Sequence, residues 1–181
     1  DGVKRGLVGE ILSRFEKRGL KIIALNMVLA SKENMDNHYP KDDAWIKRLG
    51  EKSLANYQQY GVDPREKLGT DDSFEIGKMI RKWVVEYMTS GPIVKGVVSG
   101  VHAIDMVRKI CGNSLPNLAD MGTIRGDFSV DSAVSANLNK RSIKNIIHAS
   151  ENEKEVKNEM VLWFKENEIH DYKRAEEDIM F

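Results

Sequence analysis

Residues 20–30, Leu20-Lys21-Ile22-Ile23-Ala24-Leu25-Asn26-Met27-Val28-Leu29-Ala30, restrict the possible folds more than any other stretch. The run is apolar and partly alternating, and far shorter than the ~20 residues of a membrane-spanning helix. It reads as a strand buried on both faces, so the rest of the chain must pair its edges and cover it. Residues 6–18 ahead of it have helical spacing, with Leu7, Ile11 and Phe15 on one face beside Val8 and Leu12, and Gly19 as the stop. After it, Ser31 caps a short helix that ends at Tyr39-Pro40. Residues 42–60 form a polar helix, and residues 74–88 return to helical spacing through Phe74, Ile76, Ile80, Trp83, Val84 and Tyr87. Residues 93–99 read as a second strand. A helix over 101–111 follows, with Ile104, Val107, Ile110 and Cys111 inward and Gly112 as stop. Residues 143–148 read as a third strand, followed by a helix over 151–165 with Val156, Met160 and Phe164 on one stripe. One further strand ahead of Asp1 turns this order into βαββαβ. That is an α/β (α+β) ferredoxin-like sandwich with helices packed on an antiparallel sheet, its first strand missing from this chain.

Residues 41–81 differ in character and read as a helical insertion within a single domain over 1–181. At 181 residues the chain is long enough to bury a full core. With 28 basic and 28 acidic residues no basic surplus argues for a specific nucleic-acid partner. The single Cys111 excludes an internal disulfide framework and fits a reducing, cytoplasmic compartment. No apolar run suits a membrane span, so no membrane partner is expected. His38, His102 and His170 lack the spacing of metal ligands and read as structural or surface residues.

The stretch Asn145-Ile146-Ile147-His148-Ala149-Ser150 places a histidine where the third strand leaves the sheet. A histidine on a rigid element is suited to act as nucleophile or general base; beside an apolar run it is also a common hydrogen-bonded core residue. Upstream lies Gly122-Thr123-Ile124-Arg125-Gly126-Asp127-Phe128, a compact turn carrying an arginine. Together the two motifs resemble the nucleoside diphosphate kinases, and the resemblance runs from Asp1-Gly2-Val3-Lys4-Arg5-Gly6 to the region of Tyr172.

The resemblance implies the same sandwich fold and a ping-pong transfer of the terminal phosphate of a nucleoside triphosphate to a nucleoside diphosphate. His148 is the nucleophile it implies, and Glu159 the carboxylate that orients the imidazole, although a glutamate on this helix also reads as an ordinary solvated charge. Arg108, Ser114 and Arg125 match phosphate-binding positions, and guanidinium forks suit that task because they bind phosphate oxygens in pairs and keep their charge. Asn145 matches the ribose-binding asparagine, Ser150 a serine packed beside the histidine, and Tyr39 a tyrosine near the phosphates. No glycine-rich phosphate cradle is present, in keeping with a family that grips phosphates with side chains and a divalent ion, usually Mg2+, held largely by the nucleotide. Members assemble as hexamers or tetramers, so a homo-oligomer is expected.

The sequence departs from the family pattern in places. The family has lysine-proline immediately before Asp1, and loss of that cationic donor is expected to cost about 3 kcal/mol of barrier. Loss of the strand carrying it leaves neighbouring edges unpaired, so the chain reads as a fragment of a longer sequence. The missing lysine also supports an alternative, a catalytically impaired nucleotide-binding or regulatory subunit of the same fold. The 41–81 connection is longer than usual. An aromatic that stacks on the base is replaced by Ile80, facing Val84 as the partner wall, with Trp45 and Trp83 as aromatic substitutes. Residues 131–141 insert ahead of the active strand and read as surface elaboration or oligomer contact.

Overall fold

The computed structural model describes residues 1–180. In chain order the helices and strands are α1 (Val8–Lys17), β1 (Lys21–Leu29), α2 (Lys32–His38), α3 (Asp43–Gln59), α4 (Pro64–Leu68) and α5 (Ser73–Met88). They continue with β2 (Pro92–Ser99), α6 (Ala103–Cys111), α7 (Ile124–Phe128), α8 (Ala133–Leu138), α9 (Glu153–Trp163) and α10 (Glu177–Met180). The chain forms two compact units: residues 1–29, 92–129 and 145–181 make the first, and residues 30–91 and 130–144 the second.

The first unit is α/β. Helix α1 buries Ile11 and Phe15, one turn apart on the stripe that its spacing defines, and Gly19 at φ +85° turns the chain into β1. Strand β1 pairs antiparallel with β2, from Lys21 opposite Ser99 to Leu29 opposite Pro92. The register slips between Ile22 and Ala24, which leaves Ile23 as an extra residue. The carbonyls at this bulge bind the C-terminal tail, Ile23 accepting from the His170 amide at 2.8 Å and Ile22 from the Tyr172 hydroxyl at 2.9 Å. The core gathers Ile11, Phe15, Leu20, Cys111 and Ile124, with Met106, Val107 and Ile110 of α6 and Ile146 and Ile147 packed against it.

Two expectations for this unit need correction. Strand β1 is not buried on both faces: the alternate side chains Leu25, Met27 and Leu29 are 46%, 60% and 74% exposed. Among the described residues β1 pairs only with β2, and nothing in this unit covers that face. Residues 143–148 are not a strand either. Their carbonyls are claimed by a side chain instead of a ladder, and Ile146 sits at φ +71°, outside the extended region.

The second unit is helical. Asp42 caps α3 by accepting from the Trp45 amide at 2.8 Å, and Asp72 caps α5 in the same way through Glu75. The two helices cross closely because Gly50 and Gly77 face each other's backbones. A Cβ on Gly50 would stand 1.7 Å from the Ser73 carbonyl oxygen, and one on Gly77 would stand 1.9 Å from that of Ile46. Residues 131–141, read from the sequence as surface elaboration or oligomer contact, contain α8, which buries Ala133, Ala136 and Asn137. Asn137 donates to the buried Ser53 hydroxyl of α3 at 2.6 Å.

Candidate active site

The segment bearing His148 runs directly into α9, whose start is well specified. The Asn152 side chain accepts from the Glu155 amide at 3.0 Å, and Glu155 accepts from the Glu151 amide at 2.7 Å. Glu159 then lies on the helix face that looks back at the histidine. One of its carboxylate oxygens is 3.3 Å from His148 Nε2, and the other accepts the Ser150 hydroxyl. The His148 side chain is 44% exposed and that of Glu159 20%. The imidazole is therefore not a core residue; it stands in reach of solvent on a carboxylate anchor.

Arg125 organises the backbone around this pair. Thr123 caps α7 by accepting from the Gly126 amide at 3.1 Å, and Asp127 closes the turn by accepting from the Gly122 amide at 2.7 Å. Arg14 pairs with Asp127 at 2.7 Å. Together the Gly122 amide and Arg14 hold the Asp127 carboxyl below the usual carboxylate range. Gly126 is needed here because a Cβ would lie 2.1 Å from the Asp120 carbonyl oxygen. From this turn Arg125 enters the protein, 7% exposed, and donates to three carbonyls: Gly112 at 2.6 Å, Ile147 at 2.6 Å and Asn145 at 3.2 Å. Burial pulls its pKa below the ordinary value, opposed by Cys111 and assisted by Arg108. Burial likewise pushes the Cys111 thiol up to about 11, against the pull of Arg125.

Arg108, in the last turn of α6, differs in being solvent-facing. Its side chain is 44% exposed, donates to the Glu151 carbonyl at 3.1 Å and lies 3.6 Å from the Glu151 carboxylate. The Asn145 amide donates to the Ser114 carbonyl at 3.2 Å, and Ser114 is exposed. The fold thus gathers Arg108, Ser114, Arg125, Asn145, His148, Ser150 and Glu159 within one unit, from α6, α7, α9 and the segment between α8 and α9. Tyr39, Ile80 and Val84 belong to the other unit. There Tyr39 follows α2, edge-on to the His38 ring at 4.7 Å, and Ile80 and Val84 are half-buried one turn apart on α5.

Sequence reasoning did not point to Asp1. Its carboxylate accepts from the Ile146 amide at 3.1 Å, across 145 positions, so no local signal announces the contact. Nor does the motif around Arg125 reveal that its guanidinium reaches carbonyls from separate loops.

A sequence profile described as nucleoside diphosphate kinase matches residues 1–47 and 75–169. The nucleoside diphosphate kinase of Pyrobaculum aerophilum is 50% identical over 169 residues, 93% of this chain and 92% of that protein. The crystal structure of an NDP kinase from the same organism superposes with a TM-score of 0.90 at 47% identity, covering 94% of each chain. A nucleoside-diphosphate kinase from Borrelia burgdorferi, solved as a transition-state mimic with vanadate and ADP, gives a TM-score of 0.78 at 37% identity, over 98% of this chain and 89% of that one.

Proposed function

Because the chain belongs to the nucleoside diphosphate kinase family, we propose that His148 is the residue through which it passes the terminal phosphate of a nucleoside triphosphate to a nucleoside diphosphate. The observation that carries this assignment is the His148–Glu159 pair. A carboxylate on Nε2 favours the tautomer with its proton there, which leaves the lone pair on Nδ1. In the first half-reaction Nδ1 attacks the terminal phosphorus. An N–P bond forms, the bridging P–O bond breaks, and the nucleoside diphosphate leaves with that oxygen. The imidazole becomes cationic as it is phosphorylated, and Glu159 stabilises the charge on the Nε2 side. In the second half-reaction a terminal phosphate oxygen of another diphosphate attacks the same phosphorus and the N–P bond breaks, which restores neutral His148.

Arg108 and Ser114 hold phosphate oxygens in this reading. Arg125 contributes the N–H groups that its carbonyl bonds leave over, and Asn145 binds the sugar. Ser150 fixes Glu159 through its hydroxyl. Tyr39 enters this reading on its match to the family tyrosine alone, and Ile80 and Val84 on their count back from Tyr87. Magnesium fits this donor set as an ion carried by the nucleotide: Glu159 and Asp127 both spend their oxygens on protein donors, leaving phosphate oxygens as ligands. Bound there, it neutralises phosphate charge and orients the transferred group.

Residues 1–181 act as a single kinase domain with 41–81 as a helical insertion; the unmatched residues 48–74 fall within that insertion. The exposed Leu25, Met27 and Leu29 on β1 support a homo-oligomer. No helix among the described residues is long and apolar enough to cross a membrane, and a lone buried thiol suits a cytoplasmic setting. Incubation with terminally labelled ATP tests the mechanism. An acid-labile, base-stable phosphoenzyme is expected, and its formation by His148→Ala would refute the assignment.

A further inference from the structure

We propose that Asp1 is a positioning residue for His148, its carboxylate holding the turn at Ile146 that aims the imidazole. The Ile147 amide donates to the Asn145 carbonyl at 2.8 Å, so residues 145–147 close a three-residue turn around Ile146. Ile146 has φ +71° there, a conformation that a β-branched residue avoids and the more strained hand of this turn. Such a conformation persists only where surrounding bonds impose it. Arg125 grips the carbonyls on either side, and Asp1 Oδ1 accepts the Ile146 amide at 3.1 Å.

Asp1 is built for that task. Its side chain is 12% exposed and its second oxygen lies 3.9 Å from Arg5. The segment carrying it is folded on itself by bonds from the Arg5 amide to Asp1 at 2.9 Å and from the Leu7 amide to Gly2 at 3.0 Å. Arg5 also donates to the Phe128 carbonyl at the end of α7. Gly2 permits the close approach, since a Cβ there would stand 3.0 Å from the Ile146 carbonyl oxygen. Without the acceptor, Ile146 relaxes toward negative φ. Both neighbouring peptides then rotate, and His148, two residues on, loses its line to the phosphorus. Nucleotide contacts through Arg108 do not pass through this turn and stay in place.

The inference rests on His148 being the phosphorylated residue, and the experiment separates the two. Single-turnover labelling is measured for the full chain, Asp1→Ala, Asp1→Asn, Asp1→Glu and His148→Ala, together with the KM for the acceptor diphosphate. Asp1→Ala is expected to label about 10- to 100-fold more slowly, with a smaller rise in KM through Asn145, because a misaimed nucleophile costs mainly rate and not ground-state binding. Asp1→Asn, whose amide oxygen still accepts an N–H, is expected to restore most of the rate. Asp1→Glu keeps the charge but displaces the acceptor, and is expected to be slower than Asp1→Asn; it replaces Asp1→Ala if that variant does not fold. Labelling of Asp1→Ala at the wild-type rate overturns the inference, as does Asp1→Asn slower than Asp1→Glu. If His148→Ala still labels, the site reading fails and hydrogen exchange at the Ile146 amide decides for Asp1. Faster exchange in Asp1→Ala or Asp1→Glu than in wild type supports the contact, and unchanged exchange refutes it.

Discussion

Replacing Arg125 by methionine removes the buried guanidinium while keeping a long, unbranched side chain of similar reach. The cost follows from its partners. Arg125 donates to the carbonyls of Gly112, Asn145 and Ile147, which lie on two separate segments of the first unit. At a net ~1.5 kcal/mol for each bond from a charged donor, the loss is on the order of 4 kcal/mol, and the unpaired carbonyls set a similar scale. Removing a desolvated charge gives some of this back, so about 3–4 kcal/mol is the expected net destabilisation. For a chain of this size that is a fall in Tm of roughly 6–16 °C, read by circular dichroism or calorimetry. Arg125→Lys keeps a charge and three donors on one nitrogen but cannot fan across three carbonyls, so it is expected to fall between wild type and Arg125→Met. The control is Arg108→Met, which removes an exposed arginine and is expected to shift stability by less than ~1 kcal/mol. Arg125→Met melting within about 2 °C of wild type would refute the reasoning, as would equal shifts for the two arginines.

Cys111 supplies a pH test. Burial holds the folded thiol up to about 11, against about 8.5 in an unfolded chain, so above about pH 8.5 only the unfolded state ionises. Unfolding free energy measured in urea should therefore fall with a thiol-dependent slope above that pH; Cys111→Ala should remove that slope, and iodoacetamide at pH 8 should label the protein only after unfolding. Gly77→Ala drives a Cβ to 1.9 Å from the Ile46 carbonyl oxygen, forcing α3 and α5 apart, and should cost at least about 1–3 kcal/mol in the same urea titration; an unchanged midpoint would mean the helices do not cross there.

What the chain discloses on reading, and what it hides, divides by the range of the forces involved. Helices α1, α2, α3, α5, α6 and α9 and strands β1 and β2 announce themselves through spacing, caps and stops, because a helix face or an Asp cap is a matter of three or four residues. The histidine and the carboxylate on the following helix are legible in the same way, from a motif and a helical offset. Residues 143–148 mislead for a related reason: paired branched residues look like a strand, but strand formation depends on a neighbour, and here Arg125 and Asp1 take the backbone groups that a neighbour would have bonded. That substitution joins residues 20 and 145 positions apart, beyond any local pattern. It also changes what the arginine motif means. The family motif points to Arg125 as a phosphate ligand, while its burial among carbonyls makes it equally a part that shapes the loop presenting His148. One side chain can do both because a guanidinium has five N–H groups and the carbonyls occupy three of them, leaving a pair for phosphate oxygens. In the proposed mechanism nucleophile placement and phosphate binding are then coupled through a single residue, so variants at Arg125 should lose rate and stability together, whereas variants at Asp1 should lose rate more than nucleotide affinity.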